Sequence, residues 1–157
     1  MGEKKTGKNP TDRGKLGVKR SILTDQHGLP IGLAIDGANR HDVKLVRATL
    51  ESVPIPRPKV IPYHRQHLCL DAGYVGDEVK ELAVEFEYTL HVRSRGDEAR
   101  DIKRKTGEKA RRWVVERTHS WLNRFRRILI RWEKKTDNYM AMLHLACAFI
   151  TFRKVLN

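Results

Sequence analysis

The sequence predicts an α/β fold on three observations. Short apolar runs of strand length alternate with longer segments whose apolar residues recur at helical spacing. Glycine, proline and aspartate cluster between those runs, where turns belong. The 157 residues, 39% of them apolar, suffice for one domain with a core.

Taken in order, residues 1–20 are rich in glycine and lysine without periodicity and read as a basic flexible arm, leaving 21–157 as the folded domain. Ser21-Ile22-Leu23 and Ile31-Gly32-Leu33-Ala34-Ile35 flank Asp25-Gln26-His27-Gly28, the pattern of a hairpin. Asp42 is placed to cap a helix with Val43, Val46 and Leu50 on one face, which the prolines at 54, 56, 58 and 62 end. Residues 67–71 read as a buried strand, followed by a helix carrying Val79, Leu82, Ala83 and Phe86 and by a second strand from Tyr88 to Val92. A charged loop at 93–110 leads to a helix with Val115, Thr118, Leu122, Phe125 and Leu129 on one face and Arg112, Glu116, Ser120, Asn123 and Arg127 on another. Finally Asp137 caps a helix that buries Met140, Leu143, His144, Cys147 and Ile150. There is no internal repeat.

The net charge of +13 is unevenly spread: about +5 over residues 1–20, −3 over 21–92, +10 over 93–135 and +1 over 136–157. A field so concentrated attracts a polyanion. A solubilising face is the bland alternative, but Trp113, Trp121 and Trp132 are interleaved with the charges, which favours nucleic acid. Arg112, Arg117, Asn123, Arg124, Arg126, Arg127 and Arg131 are the candidate DNA contacts. The longest apolar stretch, Tyr139 to Phe152, contains His144 and falls short of the roughly 20 residues that cross a bilayer. No membrane association is expected. A lysine-rich N-terminus without an apolar core is not a secretory signal, and Cys69 and Cys147 read as reduced core residues of a cytoplasmic protein.

Two carboxylates stand out. Glu116 points away from the apolar face of a helix crowded with arginine; taken alone it is better explained by pairing with Arg112 four residues earlier, and a second carboxylate has to tip the balance. Asp71 ends the run Leu68-Cys69-Leu70, and in α/β sheets such strand ends face the ligand crevice. A turn or helix cap is the alternative role for Asp71. His119, one turn from Glu116, reads as a surface histidine, and Asp36, before Gly37 at a strand end, is the one other acid worth testing as a metal ligand.

Together the segments at 9–17, 37–42, 70–74 and 112–127 resemble, in their order and combination, the DDE transposases of small bacterial insertion sequences. The resemblance covers nearly the whole chain. It implies a ribonuclease H-like mixed sheet flanked by helices, here without the family's first strand, and it matches Asp71 to the second acidic residue of the family and Glu116 to the third. A common signature around that glutamate is Tyr, two residues, Arg, three residues, Glu, six residues, Lys; Arg112 and Glu116 fit it, Lys109 and Asn123 replace its outer members, and Arg124 is the neighbouring cation.

The resemblance implies DNA transposition: binding of transposon ends and target, then cleavage and strand transfer using two Mg²⁺ ions, with Mn²⁺ as a substitute, held by Asp71 and Glu116. It also implies a homodimer on DNA in the bacterial nucleoid, and an upstream-frame product that supplies the first aspartate. An inactive DNA-binding remnant, or an unrelated basic nucleic-acid-binding protein, are the alternative readings.

Overall fold

The computed structural model describes residues 5–92 and 113–156. The loop expected at 93–110 and Arg112 lie outside the described residues. The architecture is mixed α/β, in two compact units: Met1–Pro54 with Val114–Asn157, and Ile55–Trp113.

In the first unit, β1 (Gly7–Lys8), β2 (Leu16–Thr24) and β3 (Pro30–Gly37) form an antiparallel sheet in that order. The expected hairpin is present but longer, and residues 16–20, expected in a flexible arm, are strand. Glycine and lysine hid the alternation there: Val18 packs against the core, while Lys19 on the other face pairs with Asp42 at 3.1 Å. That pairing also changes the role of Asp42, whose side chain makes no cap to α1 (Val43–Glu51). The buried face of α1 is Leu45, Val46, Thr49 and Leu50, with Val43 only half-buried.

The hairpin turn is built by Asp25, whose Oδ1 accepts from the backbone N–H groups of His27 and Leu29 at 2.9 and 2.8 Å. Gly28 completes it at φ +84°, a conformation that L side chains rarely adopt. A β-carbon at Gly28 would stand 2.9 Å from an Arg117 guanidinium nitrogen and 3.2 Å from Thr118 Oγ1. Gly28→Ala is therefore expected to cost about 1–2 kcal/mol, read as a lowered urea midpoint with an unchanged slope.

Three helices complete this unit: α3 (Trp113–Asn123), the single turn α4 (Arg126–Leu129) and α5 (Thr136–Val155). The core joins Ile22, Leu33 and Ile35 of the sheet to Leu122, Ile128, Tyr139, Leu143, Ala146 and Ile150 of the helices. Helix α3 buries Val114, Thr118 and Leu122, not Val115, and ends at Asn123. The extended backbone of Phe125 resets the helical phase, so Ile128 turns inward and Leu129 is left 51% exposed. Helix α5 starts one residue before Asp137, which lies in its first turn and is not its cap. Tyr139, Leu143, Ala146 and Ile150 form its buried face, and His144 is exposed, contrary to expectation.

The second unit is a parallel strand–helix–strand element. In it, β4 (Gln66–Leu70) pairs in parallel with β5 (Tyr88–Val92), Leu68 opposite Leu90, and α2 (Asp77–Glu85) connects them, burying Val79, Leu82 and Ala83 as its spacing predicts. Arg57 anchors the preceding proline-rich segment: its Nε donates to Gln66 Oε1 at 2.8 Å, and its guanidinium lies 3.9 Å from the Tyr88 ring centre. Only Leu68 of β4 is buried. Cys69 is exposed and Cys147 half-buried, so the expectation of two core cysteines holds for neither in full, and both are free thiols. Burial pushes the Cys147 thiol up to about 11, which keeps it protonated and unreactive.

Candidate active site

Asp71 stands where β4 ends. Its Oδ1 accepts from the Ala72 N–H at 2.5 Å and its carbonyl from the Tyr74 N–H at 2.9 Å, starting the 3₁₀ turn Ala72–Tyr74. Both sequence readings of Asp71 thus describe real geometry: it ends a parallel strand and opens a turn. The carboxylate is exposed, so binding a cation there carries little desolvation cost.

Glu116 lies in the first turn of α3, on its exposed face, with Ser120 and Asn123. Thr118, on the opposite face, fixes the helix: its Oγ1 donates to the Gly28 carbonyl at 2.7 Å and lies 3.1 Å from the Val114 carbonyl. Asp71 belongs to the second unit and Glu116 to the first. Among the described residues no group of three or more His, Cys, Asp or Glu side chains could hold a metal ion. Asp36 is already engaged, its Oδ1 accepting from the Gly37 N–H at 2.7 Å and its Oδ2 pairing with Arg40 at 3.2 Å.

The candidate DNA contacts divide by what their side chains already do. Arg117 donates to the His27 carbonyl and lies 4.9 Å from the Trp121 ring centre. Arg131 is a brace: it donates to the carbonyls of Glu133, Lys134 and Lys5 and to Thr136 Oγ1. Arg127 pairs with Glu133 at 2.9 Å. Arg124 and Arg126 are exposed. Arg124 also lines, with Trp121, Phe125, Phe149, Arg153 and Lys154, a surface groove of about 370 Å³.

Asn123 accepts from Arg20 Nη2 at 2.8 Å. Sequence reasoning missed Arg20, because 103 residues separate the two and nothing local to either signals the contact. Its Nη1 is buried with no hydrogen-bond partner among the described residues. His119 is half-buried, not a surface histidine, and burial, then the Arg20 charge, holds its imidazole below the ordinary value of 6.5. The folded chain therefore binds fewer protons here than the unfolded chain, so the contribution is full above that value and falls as pH drops below it. His119→Gln is expected to flatten the decline in urea midpoint between about pH 7 and pH 5. An identical decline in the variant would assign it to other groups.

The described residues thus set an acid beyond a strand end and an acid on an exposed helix face, on an α/β frame with a net charge of +13. Similarity to known proteins gives the family. The family described as "Transposase DDE domain" matches residues 2–150. The chain is 36% identical over 162 residues, 95% of its length and 69% of the relative's, to the "Putative transposase for insertion sequence element IS402" of Burkholderia cepacia. No solved structure matches. The chain belongs to the DDE transposases of insertion sequences, a family of DNA transposition. No helix among the described residues is long and apolar enough to cross a membrane.

Proposed function

We propose that this chain is the catalytic core of its transposase, binding transposon DNA and carrying out metal-dependent phosphodiester cleavage and strand transfer on a ribonuclease H-like fold. The observation that carries the reading is the placement of Asp71 at the end of a parallel strand and of Glu116 on the exposed face of α3, in a chain that matches the family across both. An antiparallel hairpin, a helix, a parallel strand–helix–strand element and closing helices, in that order, support such a fold without its first strand. Exposed carboxylate oxygens suit a hard divalent ion such as Mg²⁺, with Mn²⁺ as a substitute. Asp71 and Glu116 would hold the ions, which would supply activation of the attacking oxygen and charge stabilisation at the leaving one. Asp71 and Glu116 supply negative oxygens, and Thr118 and Leu122 hold Glu116 by fixing its helix. The family's remaining acid is assigned to a segment joined upstream, so full activity is expected of the joined protein.

Arg124 and Arg126 are assigned to DNA phosphates, together with Arg127 and, on the sequence alone, Arg112; Arg117, Arg131 and Asn123 order the surface that presents the described cations. Replacing Arg124 and Arg126 with Ala should weaken binding to duplex DNA and reduce the slope of log affinity against log salt by about 0.9 for each phosphate no longer neutralised. Fluorescence anisotropy over a salt series checks it. An unchanged slope would remove both residues from the interface.

A further inference from the structure

Helix α5 is apolar on both sides. One face enters the core; the other carries Leu145 at 70%, Phe152 at 59% and Val155 at 75% exposure, with Phe149 and Leu156 beside them. Asn138, Ala141, Leu145, Ala148, Phe152 and Val155 follow one another by three, four, three, four and three residues along this exposed face, the a/d spacing of a helix that packs lengthwise on another helix. A helix exposed for solubility has no reason to keep that spacing in leucine, phenylalanine and valine.

We infer that this face is an interface between two copies of the chain, their α5 helices packed antiparallel. Side-chain size and charge both select that occupant and that direction. Antiparallel packing centred between Leu145 and Ala148 sets Leu145 of one copy against the partner's Ala148, and Ala141 against the partner's Phe152, so large side chains meet small ones. Asp137, the acid in the first turn, then lies at the end where the partner's Arg153 and Lys154 lie. Parallel packing would instead bring Arg153 and Lys154 of both copies together. The apolar side chains of the face offer roughly 500 Å² per copy, on the order of 1,000 Å² in a pair, which reaches the threshold of a specific interface and fits a micromolar dimer. The interface needs no DNA, so it and the DNA-binding reading stand or fall separately.

Sedimentation equilibrium without DNA tests it. The protein should be mostly dimeric at about 50 µM, and Leu145→Glu should raise the dissociation constant at least about tenfold, with an unchanged far-ultraviolet circular dichroism spectrum, since the site is exposed. Asp137→Lys alone should weaken the dimer about threefold or more, and adding Arg153→Glu and Lys154→Glu to the same chain should restore it. A monomer at that concentration, or a dimer unaffected by Leu145→Glu, would overturn the interface. Asp137→Lys without effect would overturn the antiparallel arrangement.

Discussion

Glu116→Gln is expected to lower Mg²⁺-dependent cleavage and joining of transposon-end DNA at least about a thousandfold, roughly 4 kcal/mol of transition-state stabilisation, in the chain joined to the upstream segment proposed above. The substitution keeps size and hydrogen-bonding capacity but removes the negative charge that a divalent ion needs. Because Glu116 is exposed and lies opposite the buried Val114, Thr118 and Leu122, stability should be almost unchanged. Affinity for DNA should hold or rise slightly, since one negative charge leaves a basic surface. Loss of activity with binding intact separates a chemical role from a structural one. Equal loss of both would move Glu116 into the DNA-contact set.

The largest effect on stability is expected from Leu122→Ala. Leu122 is fully buried among Ile22, Leu33, Ile35, Leu143 and Ile150, where α3 meets both the sheet and α5. Truncation removes apolar contacts and leaves a cavity, at a cost of about 2–5 kcal/mol. Against a total stability of about 5–15 kcal/mol that is a large share. Urea denaturation checks it, and a cost below about 1 kcal/mol would mean that α3 does not pack on the sheet and α5 through this residue. Activity should fall as well, because Leu122 fixes the helix that carries Glu116.

The parts of the fold that were legible in the sequence are those encoded in short windows. The helix with Val79, Leu82 and Ala83, the strand Tyr88–Val92 and the turn at Asp25 to Gly28 each follow from periodicity or turn chemistry over fewer than about a dozen residues. Asp71 and Glu116 stand out in the sequence in the same way, as acids interrupting an apolar run and a basic helix, and their shared role remains the proposal made above. What was hidden depends on contacts across the chain. Thr118 meets Gly28 over 90 residues and Arg20 meets Asn123 over 103, and no local pattern announces either. The strand at 16–20 was missed because its outward positions are glycine and lysine, residues that also make flexible arms. In α3 the inward places of Thr118 and Leu122 follow the apolar series, but Val114 takes the place expected of Val115, and Leu129 falls outside because the helix has ended before Phe125. Arg117 and Arg131 look like surface charge in the sequence, yet they brace backbone carbonyls that distant segments bring to them.

The most direct measurement of the central claim, that Asp71 and Glu116 serve one metal-dependent centre, is Mn²⁺ line broadening in the amide NMR spectrum of the protein. Paramagnetic broadening detects weak binding, so it does not depend on a complete set of ligands. The account predicts that substoichiometric Mn²⁺ broadens amides beside Asp71, such as Ala72 and Gly73, together with those beside Glu116, such as Arg117. It further predicts that Asp71→Asn or Glu116→Gln, either one alone, weakens broadening at both places. Broadening near Asp71 that persists in full when Glu116 is changed, or none at either place, would contradict a shared centre.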